Sequence, residues 1–183
     1  MPSNFVPFFA ASAGVSGALI GLLFVAMSVV PTLPKSESLT TINTRAALAL
    51  HAFVNTLIVS LYALVPNDQL SGPVIWVSII SLIVLVMLGI VVVVDKENTS
   101  KFGSGMMMVL SSIPLFFELN GGFELSANQH SSVAISQICN ALIIVFLIGV
   151  LRSWRLISQG KTKPHVLLWS KFRGAPAETP PTQ

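Results

Sequence analysis

His51 and Asn55 stand four residues apart in one apolar run, and Gln137 and Asn140 stand three apart in another. Residues at those spacings share a helix face. If both runs cross a membrane, each pair must point into the protein, because polar groups in hydrocarbon are costly without partners. Two readings follow: a proton or ion relay, or hydrogen bonding between helices at about 0.6 kcal/mol per bond on measured averages. The second demands less, and the two faces are expected to pair with each other in a polar centre. Glu118, Glu124 and His130 surround Asn120-Gly121-Gly122 and together offer ligands for a cation. Carboxylates and imidazole are common in any wet loop, so solvated loop residues are the expectation there. Met106-Met107-Met108 offers soft sulfur ligands, yet three consecutive residues cannot share one helix face, which favours plain apolar filling. Cys139 is the only cysteine, so an intrachain disulfide or a cysteine metal cluster is impossible. It is expected to face lipid as an inert thiol. Paired acids, a nucleotide-binding glycine loop and zinc spacing are all lacking in the sequence. The expectation is a non-enzymatic protein with neither cofactor nor metal.

Whatever these residues do, apolar helices must position them. Of the 183 residues, 53% are apolar and 9% charged, against about 25% charged in an ordinary soluble domain. A helix needs about 20 mostly apolar residues to cross the hydrocarbon core. Candidate spans are residues 5–30, 44–65, 73–94, 105–119 and 133–151. The fold class expected is therefore all-α, a single polytopic bundle of five transmembrane helices. The fourth run covers only about 22 Å at 1.5 Å per residue, and Pro114 interrupts it. It reads as a short, kinked crossing, with a re-entrant loop as the alternative.

Charge then orients the chain. All ten basic residues (Lys35, Arg45, Lys96, Lys101, Arg152, Arg155, Lys161, Lys163, Lys171 and Arg173) fall in the first and third connections and the tail. The second and fourth connections hold Asp68, Glu118 and Glu124. Lys and Arg are enriched in cytoplasmic loops, which predicts the N-terminus outside and the C-terminus inside. Met1-Pro2-Ser3-Asn4 lacks the positive start of a signal peptide, so the first helix is expected to be retained. The net charge of +3 points to anionic lipid headgroups and not to nucleic acid. In the tail, Arg152, Trp154, Arg155, Lys161, Lys163, Trp169, Lys171 and Arg173 read as a headgroup-level segment spanning residues 152–173. The Pro-rich residues 174–183 read as disordered.

The first helix carries Ala10, Ala13, Gly14, Gly17, Ala18 and Gly21 at spacings of three and four. Small side chains let backbones approach closely, which drives helix association in lipid. We expect this helix to be the packing centre of the bundle. Gly14-Val15-Ser16-Gly17 also resembles the GxSG segment of rhomboid intramembrane proteases. Ser16 lies about 17 Å along its helix from residue 5, and His51 lies about 9 Å from residue 45. That leaves a vertical gap of about 5–10 Å, where a nucleophile and its base need about 3 Å. Small-residue packing is the better reading of the segment.

Phe8-Phe9, the stretch Ala13–Gly17 and Gly21-Leu22-Leu23-Phe24-Val25-Ala26-Met27-Ser28 together resemble a family of small bacterial multi-pass membrane proteins. Arg45-Ala46, Leu64-Val65-Pro66, Pro114 with Gly121-Gly122, and Asn140-Ala141 extend the resemblance over residues 5–155. Some members are labelled "modulator of FtsH protease", after a membrane-anchored protease; most have no assigned function. The family's usual acidic residue after the apolar core of helix five is replaced here by Ile148-Gly149-Val150. The resemblance implies a bacterial inner membrane protein that associates with and modulates another membrane protein, with a membrane protease as one candidate. The alternative is a homo-oligomeric channel or small transporter with a polar path through helices two and five. Expected partners are membrane lipids, other copies of the chain, or a second membrane protein.

Overall fold

The computed structural model describes residues 3–29, 39–66, 70–94 and 101–158. A 3-10 turn, Ser3–Phe5, leads into α1 (Val6–Val29), followed by α2 (Leu39–Leu64), α3 (Ser71–Val94), α4 (Lys101–Ala127) and α5 (Ser132–Ser158). The chain is an all-α bundle. Four helices, α1, α2, α3 and α5, are long and apolar enough to cross a membrane, and they mark it as a membrane protein.

Local chemistry explains the ends of these helices. Pro7 and Pro73 fall in the first turns of α1 and α3, where the missing N–H has no intrahelical partner to lose. Pro66 follows α2 by two residues and cannot continue it. Ser131 caps α5: its Oγ accepts from the Ala134 amide at 3.2 Å, satisfying one of the free donors of the first turn. The same hydroxyl donates to Glu124 Oε1 at 3.3 Å and ties the cap back to α4.

Helix α4 differs most from expectation. It is one helix of 27 residues with Pro114 inside, about 40 Å long, where a 15-residue run was expected. It continues straight through Asn120-Gly121-Gly122, the segment read as an outer loop. The reason is packing. A Cβ built on Gly121 would stand 2.8 Å from Ile138 Cγ1, and one on Gly122 would stand 2.9 Å from Ile75 Cγ1. The two glycines therefore let α4 lie close against α5 on one side and α3 on the other.

The helices pack as a ring with one addition. Contacts join α2 to α3, α3 to α4, α4 to α5, and α5 back to α2. Helix α1 lies outside the ring, chiefly on α2. The expectation that α1 is the packing centre is thus corrected: α2 touches α1, α3 and α5 and takes that place. Inside the ring the buried positions recur at spacings of three and four: Leu48, Ala52, Asn55 and Val59 on α2; Val74, Ser78, Ser81 and Leu85 on α3; Ser111, Leu115, Glu118, Gly122 and Leu125 on α4; Ile135, Ile138, Leu142, Val145, Gly149 and Arg152 on α5. That rhythm is what keeps one stripe of each helix facing its neighbours.

Two apolar clusters fill the ring. One joins Phe9, Val59, Val74, Leu125, Ile138 and Leu142 near the α2–α3 and α4–α5 turns. The other joins Leu48, Ala52, Leu85, Leu115 and Val145 towards the opposite end. Cys139 belongs to the first cluster and is only 8% exposed. Its expected lipid-facing position is therefore wrong; it lies on the α5 face that packs inward.

Candidate functional site

Between the two apolar clusters lies a polar layer. Asn55 from α2, Ser78 and Ser81 from α3, and Glu118 from α4 are all buried there, Glu118 completely. Asn55 Nδ2 donates to Glu118 Oε2 at 2.9 Å, and Ser78 Oγ donates to Glu118 Oε1 at 2.9 Å. Ser81 Oγ in turn donates to Asn55 Oδ1 at 2.6 Å. This orientation of the Asn55 amide serves both neighbours, Nδ2 donating to the carboxyl oxygen and Oδ1 accepting from the Ser81 hydroxyl. Helices α2 and α4 face each other across the ring without close main-chain contact. The Asn55–Glu118 bond therefore crosses the core diagonally between helices whose main chains do not approach closely.

The layer continues towards the end of α5. His51, one turn before Asn55, is hydrogen-bonded to the main chain of Ser81. Its Nε2 is buried and has no hydrogen-bond partner among the described residues. Arg152 Nη2 donates to Ser111 Oγ at 2.6 Å, linking α5 to α4. A cavity of about 20 Å³ separates these groups and is lined by His51, Asn55, Ser111 and Arg152 among apolar side chains. That volume holds about one water. From Ser78 to Arg152 the polar side chains draw on all four ring helices. Along α4 they run from Glu118 to Ser111, about 10 Å at 1.5 Å per residue.

This arrangement redistributes the residues singled out from sequence. His51 and Asn55 do face the core, but not towards Gln137 and Asn140. Gln137 Nε2 donates to the main-chain oxygen of Phe117 at 3.4 Å, and Asn140 is exposed on the outside of α5. The expected pairing of the two faces is corrected. Asn55 instead meets Glu118, and the turn of α5 that faces Asn55 presents apolar Leu142 and Val145 to the ring.

Glu118, Glu124 and His130 do not form one cluster. Glu118 is buried, while Glu124 and His130 are exposed at the α4–α5 turn. Among the described residues no group of three or more His, Cys, Asp or Glu is placed to hold a metal. Arg152 was expected at the lipid headgroups, yet it is only 8% exposed and turned inward to Ser111. Trp154, two residues on, is 70% exposed. The Arg155 side chain and Lys161, Lys163, Trp169, Lys171 and Arg173 lie outside the described residues, as does the Pro-rich end. In the methionine run, Met106 is exposed and Met108 packs beside Gly89 on α3.

The small-residue stripe of α1 also divides. Phe9, Ala13, Ser16 and Leu23 are buried and seat the helix on the ring. Ser16 Oγ is buried with no hydrogen-bond partner among the described residues. Ala10, Gly14, Gly17, Ala18 and Gly21 face outward, and a Cβ placed on any of the three glycines would meet nothing within 4 Å.

Sequence reading missed Glu118, Ser78 and Ser81 as core residues. The signal was present: Ser111, Leu115, Glu118, Gly122 and Leu125 keep a 4-3-4-3 spacing through the supposed loop. Ser78 and Ser81 stand at the same spacing inside the most apolar run of the chain. No family model matches this sequence, and no curated protein and no solved structure is detectably similar to it.

Proposed function

We propose that this chain crosses the membrane five times, N-terminus outside and C-terminus inside, and works without catalysis by associating with and modulating another membrane protein. The observation that carries this reading is the outward face of α1. Gly14, Gly17 and Gly21 have open space where a side chain would be, a surface on which a second helix can come to close backbone contact. Beside it an apolar groove of about 240 Å³ runs between α1 and α5, lined by Phe8, Val15, Leu142 and Phe146. A fifth crossing is supported by the 27 residues of α4 lying along α3 and α5. The orientation rests on the placement of the basic residues. The sequence resemblance makes a membrane-anchored protease one candidate partner, and the basic tail adds attraction to anionic headgroups.

The test is recovery of partners in a mild detergent, read by native mass spectrometry. A stoichiometric foreign chain that is lost with Gly17→Leu and Gly21→Leu supports the reading. Associations left intact by both substitutions would remove α1 as the surface.

A second reading is favoured by the polar layer itself. Buried polar and ionisable residues inside membrane helices mark substrate and ion paths. Here His51, Asn55, Glu118 and Arg152 lie within one chain, so a path would run through the ring of α2 to α5. Flux in proteoliposomes that survives His51→Ala and Asn55→Leu unchanged would count against it.

A further inference from the structure

We propose that Glu118 is a reversible proton-binding site at the centre of the four-helix ring, reached from the Arg152 end through one water beside His51. The inference deepens the second reading above by naming the ion, and it rests on that reading only where flux is concerned.

Three features of the site carry it. The first is the surroundings of the carboxyl. Glu118 is fully buried and accepts from two neutral donors, Asn55 and Ser78. A lone charge in such surroundings is far costlier than a neutral acid.

The second is that both forms of the acid fit without moving a heavy atom. When ionised, Oε1 accepts from Ser78 Oγ across 2.9 Å. When protonated, the same oxygen donates its O–H across that distance. The Ser78 oxygen then accepts, its own hydrogen turned away from the carboxyl. Asn55 keeps its bond to Oε2 in either case. The proton is taken from water and returned to water, and only O–H bonds form and break.

The third is access. The cavity beside His51 has room for one water. With the imidazole donating through Nδ1 to the Ser81 main-chain carbonyl, Nε2 is left as an acceptor, buried and without a partner among the described residues. A water fits there because it can donate to Nε2, in a space that the Asn55 side chain and the Arg152 guanidinium also line. Asn55 lines the same cavity and also covers Glu118 Oε2. Its side chain therefore separates the water from the acid, and its rotation would join them.

The charged and titratable groups on the helices around the site are His51 on α2 and Cys139 and Arg152 on α5, with Arg152 held to Ser111 beyond the cavity, while the described part of α3 contributes neutral Ser78 and Ser81.

The experiment is pH-difference infrared spectroscopy of the full-length protein in liposomes. A carboxylic acid carbonyl band is expected that vanishes in Glu118→Gln, persists in Glu124→Gln and is the same in sodium and potassium buffers. Glu118→Gln should fold, because its amide can accept from Asn55 and donate to Ser78. If it does not, Asn55→Ala identifies the band by shifting its frequency through the lost bond to Oε2. The same variant should speed exchange of the band in heavy water by about tenfold, roughly the equivalent of one hydrogen bond. No band dependent on Glu118, or a band that sodium abolishes, overturns the proton site. Exchange unchanged by Asn55→Ala overturns the route. A Glu118 band without proton flux leaves this site standing and removes the conducting reading, whereas flux without the band does the reverse.

Discussion

Removing the Asn55 side chain tests whether the polar layer holds the ring together. Asn55→Ala deletes two buried bonds, one to Glu118 Oε2 at 2.9 Å and one from Ser81 at 2.6 Å. Interhelical hydrogen bonds in membranes average about 0.6 kcal/mol and reach about 1.7. Two average bonds would give a loss of about 1.2 kcal/mol on that scale. The substitution also leaves Glu118 and Ser81 buried with unmet capacity, at about 1–3 kcal/mol for each such group in general. Because the bond spans the ring between helices with no close main-chain contact, relaxation cannot readily supply a substitute. The expected loss is therefore about 2–3 kcal/mol, above the membrane average. Reversible unfolding by titration from mild detergent into dodecyl sulfate measures it. A double-mutant cycle sharpens the test. Ser78→Ala removes the second donor to the same carboxyl, so the two substitutions should couple by at least about 0.5 kcal/mol. Ser131→Ala, at the helix cap about 13 Å along the bundle, should add independently at a cost of about 1 kcal/mol. A loss below about 0.5 kcal/mol for Asn55→Ala, or strict additivity with Ser78→Ala, would refute the layer as a connected unit.

Three further outcomes are expected. Gly121→Ala and Gly122→Ala gain about 1 kcal/mol of helix propensity but force contacts of 2.8 and 2.9 Å on stiff, β-branched Ile138 and Ile75, at about 1–3 kcal/mol. Both should lower stability in the same unfolding titration, while Gly17→Ala, with open space around it, should not. Arg152→Ala should destabilise the bundle more than Trp154→Ala, because Arg152 is buried and bonded to Ser111 whereas Trp154 is 70% exposed; thermal unfolding in detergent ranks the two. Cys139 should resist maleimide in the folded protein and react once dodecyl sulfate unfolds it, since it sits in the apolar cluster; rapid labelling of the native state would show the cluster to be open.

The elements that composition alone controls were legible in the sequence. Long apolar runs give α1, α2, α3 and α5, because a membrane-length stretch without charges has no other way to satisfy its backbone. His51 and Asn55 were legible as inward-facing for the same reason. Helix α4 was not, because Asn120-Gly121-Gly122 carries the local chemistry of a turn. Only neighbours at Ile138 and Ile75, far away in sequence, turn those glycines into contact points within a helix.

Partners were equally out of reach. Gln137 and Asn140 have the right spacing to answer His51 and Asn55, but spacing says nothing about how far a helix is rotated about its axis. The packing of α5 through Ile135, Ile138 and Leu142 settles that rotation and leaves Asn140 outside. It also brings Arg152 inward to Ser111. In the same way, burying Phe9, Ala13, Ser16 and Leu23 turns the glycines of α1 away from its own bundle. Composition and spacing were enough to place the long apolar helices and to tell the apolar, polar and small faces of each. Which face meets which depends on packing between residues distant in the chain, such as Phe53 with Phe146 and Asn55 with Glu118, and so emerges only once the helices are assembled.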